Sequence, residues 1–436
     1  MIMKRNDVLT RRPRPLRTAR LAISAILVAA LAGCGFVNTD SGGGSADTVT
    51  ALVSPEQKRG LDAVLGTCQQ QTGITVDLQQ AAVNDLNTQL RVQLTSGTAP
   101  DLFRVSPGNS SPVAAGVLGR SGELTDLSGS GWAEHLGDGT RMLAAVDGKV
   151  QAFPTSRNAI VVAYNKKLFA ELGLEPPTTW SEWQAANAKL LAAGKTPIAA
   201  GLAQGVAIQF PVYGLAASLV YGPRPDIDAD LAAGSTTLAK SPEWNAVFEK
   251  LITLQREKYL SPEALGQPED QAFQQVAGGE AGMIVMVSAG LAQLTEYADG
   301  GAETIGVFAL PATDDPEQTR VATAPDFLAI NGASKKQDAA RKLLDCLAQP
   351  AQVTTYAKTL GSLPGLDLEA VEVPPGLAPI APWLEQQKTT PFANYVWPNG
   401  DVQQRLLQSG QELISGKIDT AELLGQLDAE YAKGTP

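Results

Sequence analysis

Apolar positions along this chain follow two alternating periods. Thr48-Val-Thr-Ala-Leu-Val is an apolar run of strand length, after which Leu61, Val64, Leu65 and Cys68 recur at helical spacing until Gly73 stops the helix. Ile74-Thr-Val-Asp-Leu alternates like a second strand. Leu86, Leu90 and Leu94 predict a helix from Asn84, a good N-cap type, to Gly97, and Pro100-Asp-Leu-Phe-Arg-Val reads as a third strand. Strand, helix, strand, helix, strand at this spacing predicts a parallel sheet with crossover helices, whose ligand crevice lies beyond the carboxyl ends of the strands. The alternation resumes with a strand over 159–164, a short helix over 166–172 closed by Gly173, and a turn from Pro176 feeding a helix through Leu191. Further helices are predicted over 244–257, 270–278, 336–348 and 402–416, and strands over 282–287, 304–310 and 327–330. The proline-rich stretch 373–382 reads as a connecting loop. The fold class is α/β, without an internal repeat.

Ahead of this body, seven basic residues fall in the first twenty positions, followed by an apolar run from Leu21 to Ala32 and by Cys34 after small residues. A basic segment, a short apolar segment and small residues before a cleavage point make a secretory signal, and Leu31-Ala-Gly-Cys looks like a bacterial lipobox. The run is far short of the ~20 apolar residues a membrane span needs. Residues 1–33 are therefore expected to be removed and Cys34 to carry lipid outside the cell. Residues 34–47, with Ser-Gly-Gly-Gly-Ser, are expected to form a flexible tether with a reach of ~20 Å.

Charge and cysteine content narrow the picture. Residues 1–33 hold seven of the 34 basic residues and one of the 45 acidic ones, so the mature chain carries 27 against 44, a net charge of −17. Such an acidic chain lacks the clustered Lys and Arg that nucleic acid or anionic membranes require. A body of this length exceeds what one hydrophobic core fills, which predicts two domains. Cys68 and Cys346 remain after lipidation, either as a disulfide in an oxidising compartment or as two separate buried thiols. Neither has a metal-ligand pattern beside it, and no cofactor motif is expected. His135 is the one histidine in the sequence, which excludes His-based triads and multi-histidine metal centres. Gly194-Lys-Thr lacks the first glycine of a phosphate-binding loop, Lys189 standing in its place.

The motifs that carry a resemblance run in order along the body: Leu94-Thr-Ser-Gly-Thr-Ala-Pro-Asp-Leu-Phe, Gly122-Glu-Leu-Thr-Asp-Leu, Gly148-Lys-Val-Gln-Ala-Phe-Pro, Tyr164-Asn-Lys-Lys-Leu-Phe, Pro177-Thr-Thr-Trp-Ser-Glu, Gly279-Glu-Ala-Gly-Met, Phe327-Leu-Ala-Ile and Gly361-Ser-Leu-Pro. Together they resemble the extracellular solute-binding proteins of ABC importers, in the group that includes maltodextrin-binding proteins. The resemblance implies a two-lobed periplasmic-binding-protein-like fold with a hinge and an interlobe ligand cleft. It places 48–156 with 326–368 in lobe 1 and 157–325 with 369–436 in lobe 2. Both Cys68 and Cys346 then fall in lobe 1, which favours the disulfide.

Sugars are held by aromatic rings against the apolar faces of the ring and by fixed donors and acceptors for hydroxyls. By the resemblance, lobe 1 contributes Ser54 and Glu56 after the first strand, and Ser106 and Asn109 after the third. Arg157 and Asn158 precede the second-lobe strand, with Arg157 a donor for vicinal hydroxyls, phosphate or carboxylate, or alternatively an interlobe ion pair. Lobe 2 contributes Gln209, Phe210 and Tyr213. The turn where the family frequently has an aromatic carries Ser288-Ala289, a departure that favours a short ligand over a long maltodextrin. Asp326 and Ser362 lie on crossing loops, and Tyr395 and Trp397 are the stacking candidates. Trp180, Trp183 and Met283 read as core, and Glu56 reads equally as a first-turn acid of a helix.

These features imply a lipid-anchored receptor, not an enzyme, that captures a short saccharide by lobe closure and delivers it as a monomer to an ABC permease and its ATPase. The alternatives are a receptor for a phosphorylated polyol or other polar solute, a glycosidase built from paired carboxylates, and a non-transport surface adhesin.

Overall fold

The computed structural model describes residues 48–434, so the signal, the lipid site at Cys34 and the whole tether lie outside the described residues. Strands β1 (Thr48–Val53), β2 (Thr75–Gln80) and β3 (Leu102–Val105) pair in parallel in the order β2-β1-β3, joined by helices α1 (Pro55–Thr72) and α2 (Val83–Ser96). This is the crossover pattern read from the spacing. Helix α1 starts on a capping box in which Ser54 Oγ accepts from the Gln57 N–H at 3.2 Å, and it ends at Gly73 in the left-handed conformation. Helix α2 begins two residues earlier than an Asn84 cap would place it, with Ala82 as its N-cap, so Asn84 lies inside the helix. A two-residue hairpin, β4 (Ala145–Val146) and β5 (Lys149–Val150), then leads into the longest strand, β6 (Phe153–Asn165).

The period-2 signal underestimates β6, which is 13 residues long and starts six residues before the expected strand. Its antiparallel partners past residue 159 are β8 (Ala281–Val287) and β9 (Ile305–Phe308), and β7 (Thr196–Ile198) extends this sheet beside β8. Strand β10 (Val321–Ile330) runs antiparallel to β6 from Thr323 to Leu328 and meets β3 at its far end. Two short strands complete the sheet: β11 (Leu363–Pro364) pairs with β6 at Ser156 and Arg157, and β12 (Thr389–Pro391) pairs with the start of β10. The expected loop 373–382 carries a 3-10 helix over Pro375–Ile380 followed by a short α-helix.

Hydrophobic packing separates along these strands. One core gathers Val49, Leu52, Leu86, Leu90, Phe103, Trp132 and Phe153 with Phe327, Leu343, Leu344 and Tyr356. On the other side lie two cores, one around Trp183, Trp244, Phe248 and Trp397 and one around Val161, Phe273, Met286 and Leu377. Strands β6 and β10 feed both sides. Within the first core, Cys68 on α1 is bonded to Cys346 on the helix Gln337–Leu347, with Cα atoms 5.7 Å apart. The bridge closes a separation of 278 residues, which puts its effect at the upper end of chain-entropy estimates. Replacing both cysteines by alanine is expected to lower unfolding free energy by about 2–5 kcal/mol, read by chemical denaturation, and an unchanged midpoint would contradict this.

Candidate functional site

The strands that pass between the cores meet at a polar waist. Register along β6 and β10 shifts between Asp326, opposite Ser156, and Phe327, opposite Pro154, so Thr155 is the extra residue of a bulge. A bulge bends its strand and re-aims side chains. Here Thr155 Oγ1 donates to the Asp326 carbonyl at 3.0 Å. The Asp326 side chain, 18% exposed, stands beside Arg104, 14% exposed, with Nε to Oδ1 at 2.9 Å. They are diagonal neighbours on adjacent strands, since Arg104 is registered opposite Leu328.

This ion pair leaves hydrogen-bonding capacity unused. The Arg104 N–H is not aligned with the Asp326 oxygen, and Arg104 Nε and Nη1 and Asp326 Oδ1 are buried without a directed hydrogen bond among the described residues. Burial raises the Asp326 pKa above its ordinary 3.8, the Arg104 charge partly offsets this, and the Glu56 carboxylate raises it further. Glu56 itself is exposed in the first turn of α1. The Tyr395 phenol is raised by burial and feels both charges of the pair, which places it in the same neighbourhood. Its ring lies parallel to Phe392, with centroids 5.8 Å apart. Tyr356, from the helix Pro350–Leu360, is pushed well above the usual tyrosine range, first by burial and then by the Asp326 charge.

The two sides also touch directly. Asn109 N–H donates to the Tyr395 carbonyl at 3.3 Å, while Asn109 Oδ1 accepts from Arg120 Nη2 at 2.9 Å. Gly108 has φ 56°, and a Cβ there would stand 1.8 Å from the Tyr395 oxygen, so only glycine permits this approach. Ser106 is buried in the same loop. Ser111 Oγ and Asn394 Oδ1, one from each side, are buried without partners among the described residues, and so is Ser362 Oγ. Ser288 Oγ accepts from the Ala159 N–H at 3.0 Å and donates to Asn158 Oδ1 at 3.4 Å, which joins those two candidates.

Other sequence-derived candidates take structural positions. Trp397 is fully buried, 6.1 Å from Trp244 and 6.0 Å from Tyr213 between ring centroids, because the turn after Val396 drives the indole into the core. Tyr213 and Phe210 are buried in the same core. Gln209 is buried, its Oε1 accepting from Gln403 Nε2 at 2.7 Å. Ser54 is committed to the α1 cap, and Arg157 is engaged within the protein, its Nε donating to the Pro364 carbonyl at 2.7 Å and its Nη2 to Asp367 Oδ1 at 2.5 Å. Sequence reasoning missed Arg104, although a charge inside the apolar strand Leu102-Phe-Arg-Val was a visible signal. Thr155 and Tyr356 gave none.

Two α/β lobes that share long crossing strands and enclose a polar waist define the two-lobed solute-binding fold. A solved family 1 extracellular solute-binding protein from Bifidobacterium longum subsp. infantis is similar with a TM-score of 0.75 at 22% identity, over 89% of this chain and all of that one. The apo form of RafE from Streptococcus pneumoniae matches with a TM-score of 0.75 at 18% identity, over 90% of this chain and 99% of that one. Residues 46–354 match the family described as bacterial extracellular solute-binding protein, and the chain belongs to that family, one of binding proteins and not enzymes. Among curated relatives, the "Multiple sugar-binding protein" of Streptococcus mutans is 28% identical over 130 residues, 30% of each chain. Putative binding proteins of Brucella match over about half the length of both chains. The "Diacetylchitobiose binding protein DasA" of Streptomyces coelicolor is 24% identical over 79% of this chain and 81% of its own. Among the described residues no helix is long and apolar enough to cross a membrane.

Burial of Trp397 generates a prediction opposite to the stacking role. Trp397→Ala is expected to cost about 3–5 kcal/mol of stability, read by chemical denaturation, and a folded variant of unchanged stability would contradict the core placement.

Proposed function

We propose that the protein is the lipid-anchored receptor of an ABC importer and that it binds a short saccharide between lobe 1 (48–156 with 326–368) and lobe 2 (157–325 with 369–436). The observation that carries this reading is the Arg104–Asp326 pair at the waist, with buried donors and an acceptor left without directed partners beside the Tyr395 ring. Buried polar atoms are ordinarily hydrogen bonded, so unfilled ones at a lobe junction are suited to a polar ligand. A guanidinium and a carboxylate side by side match vicinal hydroxyls, which accept from one and donate to the other. The printed names of the relatives, a multiple sugar-binding protein and a diacetylchitobiose-binding protein, support a carbohydrate. A phosphorylated ligand fits less well, because Asp326 and Glu56 would repel it and Arg157 is already engaged.

In this reading Cys34 carries the lipid, 34–47 is the tether, and the closed monomer is presented to a permease driven by a separate ATPase. Ligand stabilises the closed arrangement by binding it better than the open one. A thermal-shift panel of raffinose, diacetylchitobiose, monosaccharides, phosphorylated polyols and short peptides tests the reading. A ligand at ~100 times its Kd adds about 2.7 kcal/mol, enough for a shift of several degrees. One saccharide shifting without turnover supports the receptor; turnover, or a flat panel with folded protein, contradicts it. Arg104→Met is expected to weaken the active saccharide roughly 10- to 100-fold.

The raised pKa of Asp326 sets a pH dependence. Its ionised carboxylate accepts from ligand hydroxyls more strongly than the protonated acid, which keeps only a carbonyl acceptor, so affinity present above the shifted pKa falls as pH drops through it, in a window beginning above the ordinary 3.8. Calorimetry from pH 7 to 4 is expected to show this loss in the native protein and to show it flattened in Asp326→Asn. An identical slope in the two proteins would exclude Asp326 from the site.

A further inference from the structure

Arg157 is a buried cation that the proposed ligand chemistry does not use. Its side chain is 4% exposed, it sits on β6 two residues past the Thr155 bulge, and both of its polar contacts reach the third crossing of the chain, at Pro364 and Asp367. The third crossing is itself fixed to lobe 1. Asp367 N–H donates to the His135 carbonyl at 2.9 Å, and a Cβ on Gly137 would lie 2.4 Å from Asp367 Oδ2. Two residues earlier, a Cβ on Gly365 would lie 2.1 Å from the Pro154 carbonyl oxygen, so the third crossing presses its backbone against the bulge. Strands β6, β10 and β11 are thus joined side by side at one level, and Arg157 spans from the first strand beyond the bulge back to the lobe 1 side.

We propose that the Arg157–Asp367 pair is the pivot of lobe motion, a positioning pair that makes the three crossings bend as one unit without touching the ligand. The inference rests on the two-lobed closure described above. A buried guanidinium that lost its carboxylate would be left uncompensated, so rotation of lobe 2 proceeds around the intact pair and not through it. Without the pair, β6 is held to the third crossing only by the β11 pairing and the Gly365 contact, and orientations that cannot grip a ligand become more populated.

The test uses spin labels on non-cysteine chemistry at exposed Arg91 and Lys417, one in each lobe, and reads interlobe distances by pulsed dipolar spectroscopy in the free protein. Asp367→Asn and Arg157→Lys are each expected to broaden the distribution and add longer distances. The variant lacking both Cys68 and Cys346 is expected to be less stable but to keep the native distribution, which separates pivot loss from destabilisation. Where raffinose or diacetylchitobiose binds the native protein, its Kd in Asp367→Asn is expected to rise roughly 3- to 10-fold as the competent fraction falls. A folded Asp367→Asn or Arg157→Lys with the native distribution would overturn the proposal, as would failure of both to fold, which would make the pair a folding requirement. Because the distances are measured without ligand, a negative saccharide panel would defeat the functional reading and leave this result standing on its own.

Discussion

The antiparallel pairing of β6 with β10 is the constraint on which the rest of this structure depends. These two strands belong to both lobes, so each lobe's sheet is completed only by chain that continues into the other. The bulge at Thr155 interrupts the register of this ribbon opposite Asp326, the residue that stands beside Arg104. The crossing strands and the proposed site therefore share residues: Thr155 bonds the Asp326 backbone, Ser156 pairs with it, and Arg157, the next residue, holds the third crossing.

Much of the architecture was legible in the sequence because lobe 1 begins with local units. Leu61, Val64 and Cys68 on α1, and Leu86 and Leu90 on α2, are the residues the structure buries, and Gly73 and Gly97 do end their helices in the left-handed conformation. What escaped was non-local. The first six residues of β6 alternate poorly, since both of its faces are covered at the waist and polar Thr155, Ser156 and Arg157 are buried by partners distant in sequence. The disulfide became legible only once both cysteines were assigned to one lobe.

The position of the candidate site was legible in part. Asp326, Glu56, Asn109 and Tyr395 fall at or beside the waist: Glu56 and Asn109 because segments after parallel strands gather at one end of a sheet, Asp326 because it lies within β10 and not on the crossing loop expected for it, and Tyr395 in the helix Ala393–Val396. Trp397 and Tyr213 followed the opposite logic: large aromatics in an apolar setting gain more from a close-packed core than from a wet cleft, and one turn of backbone decides which they enter. Arg104 illustrates the general signal. A charge inside a strand whose neighbours are all buried has to be explained, and its explanation here is Asp326.

The central claim is that the lobes close on a saccharide at this waist. Small-angle X-ray scattering of the mature protein, with and without a saturating saccharide established by the panel, tests it most directly. The account predicts a smaller radius of gyration with ligand, and loss of that change in Arg104→Met at the same ligand concentration. An unchanged radius at proven saturation would contradict it.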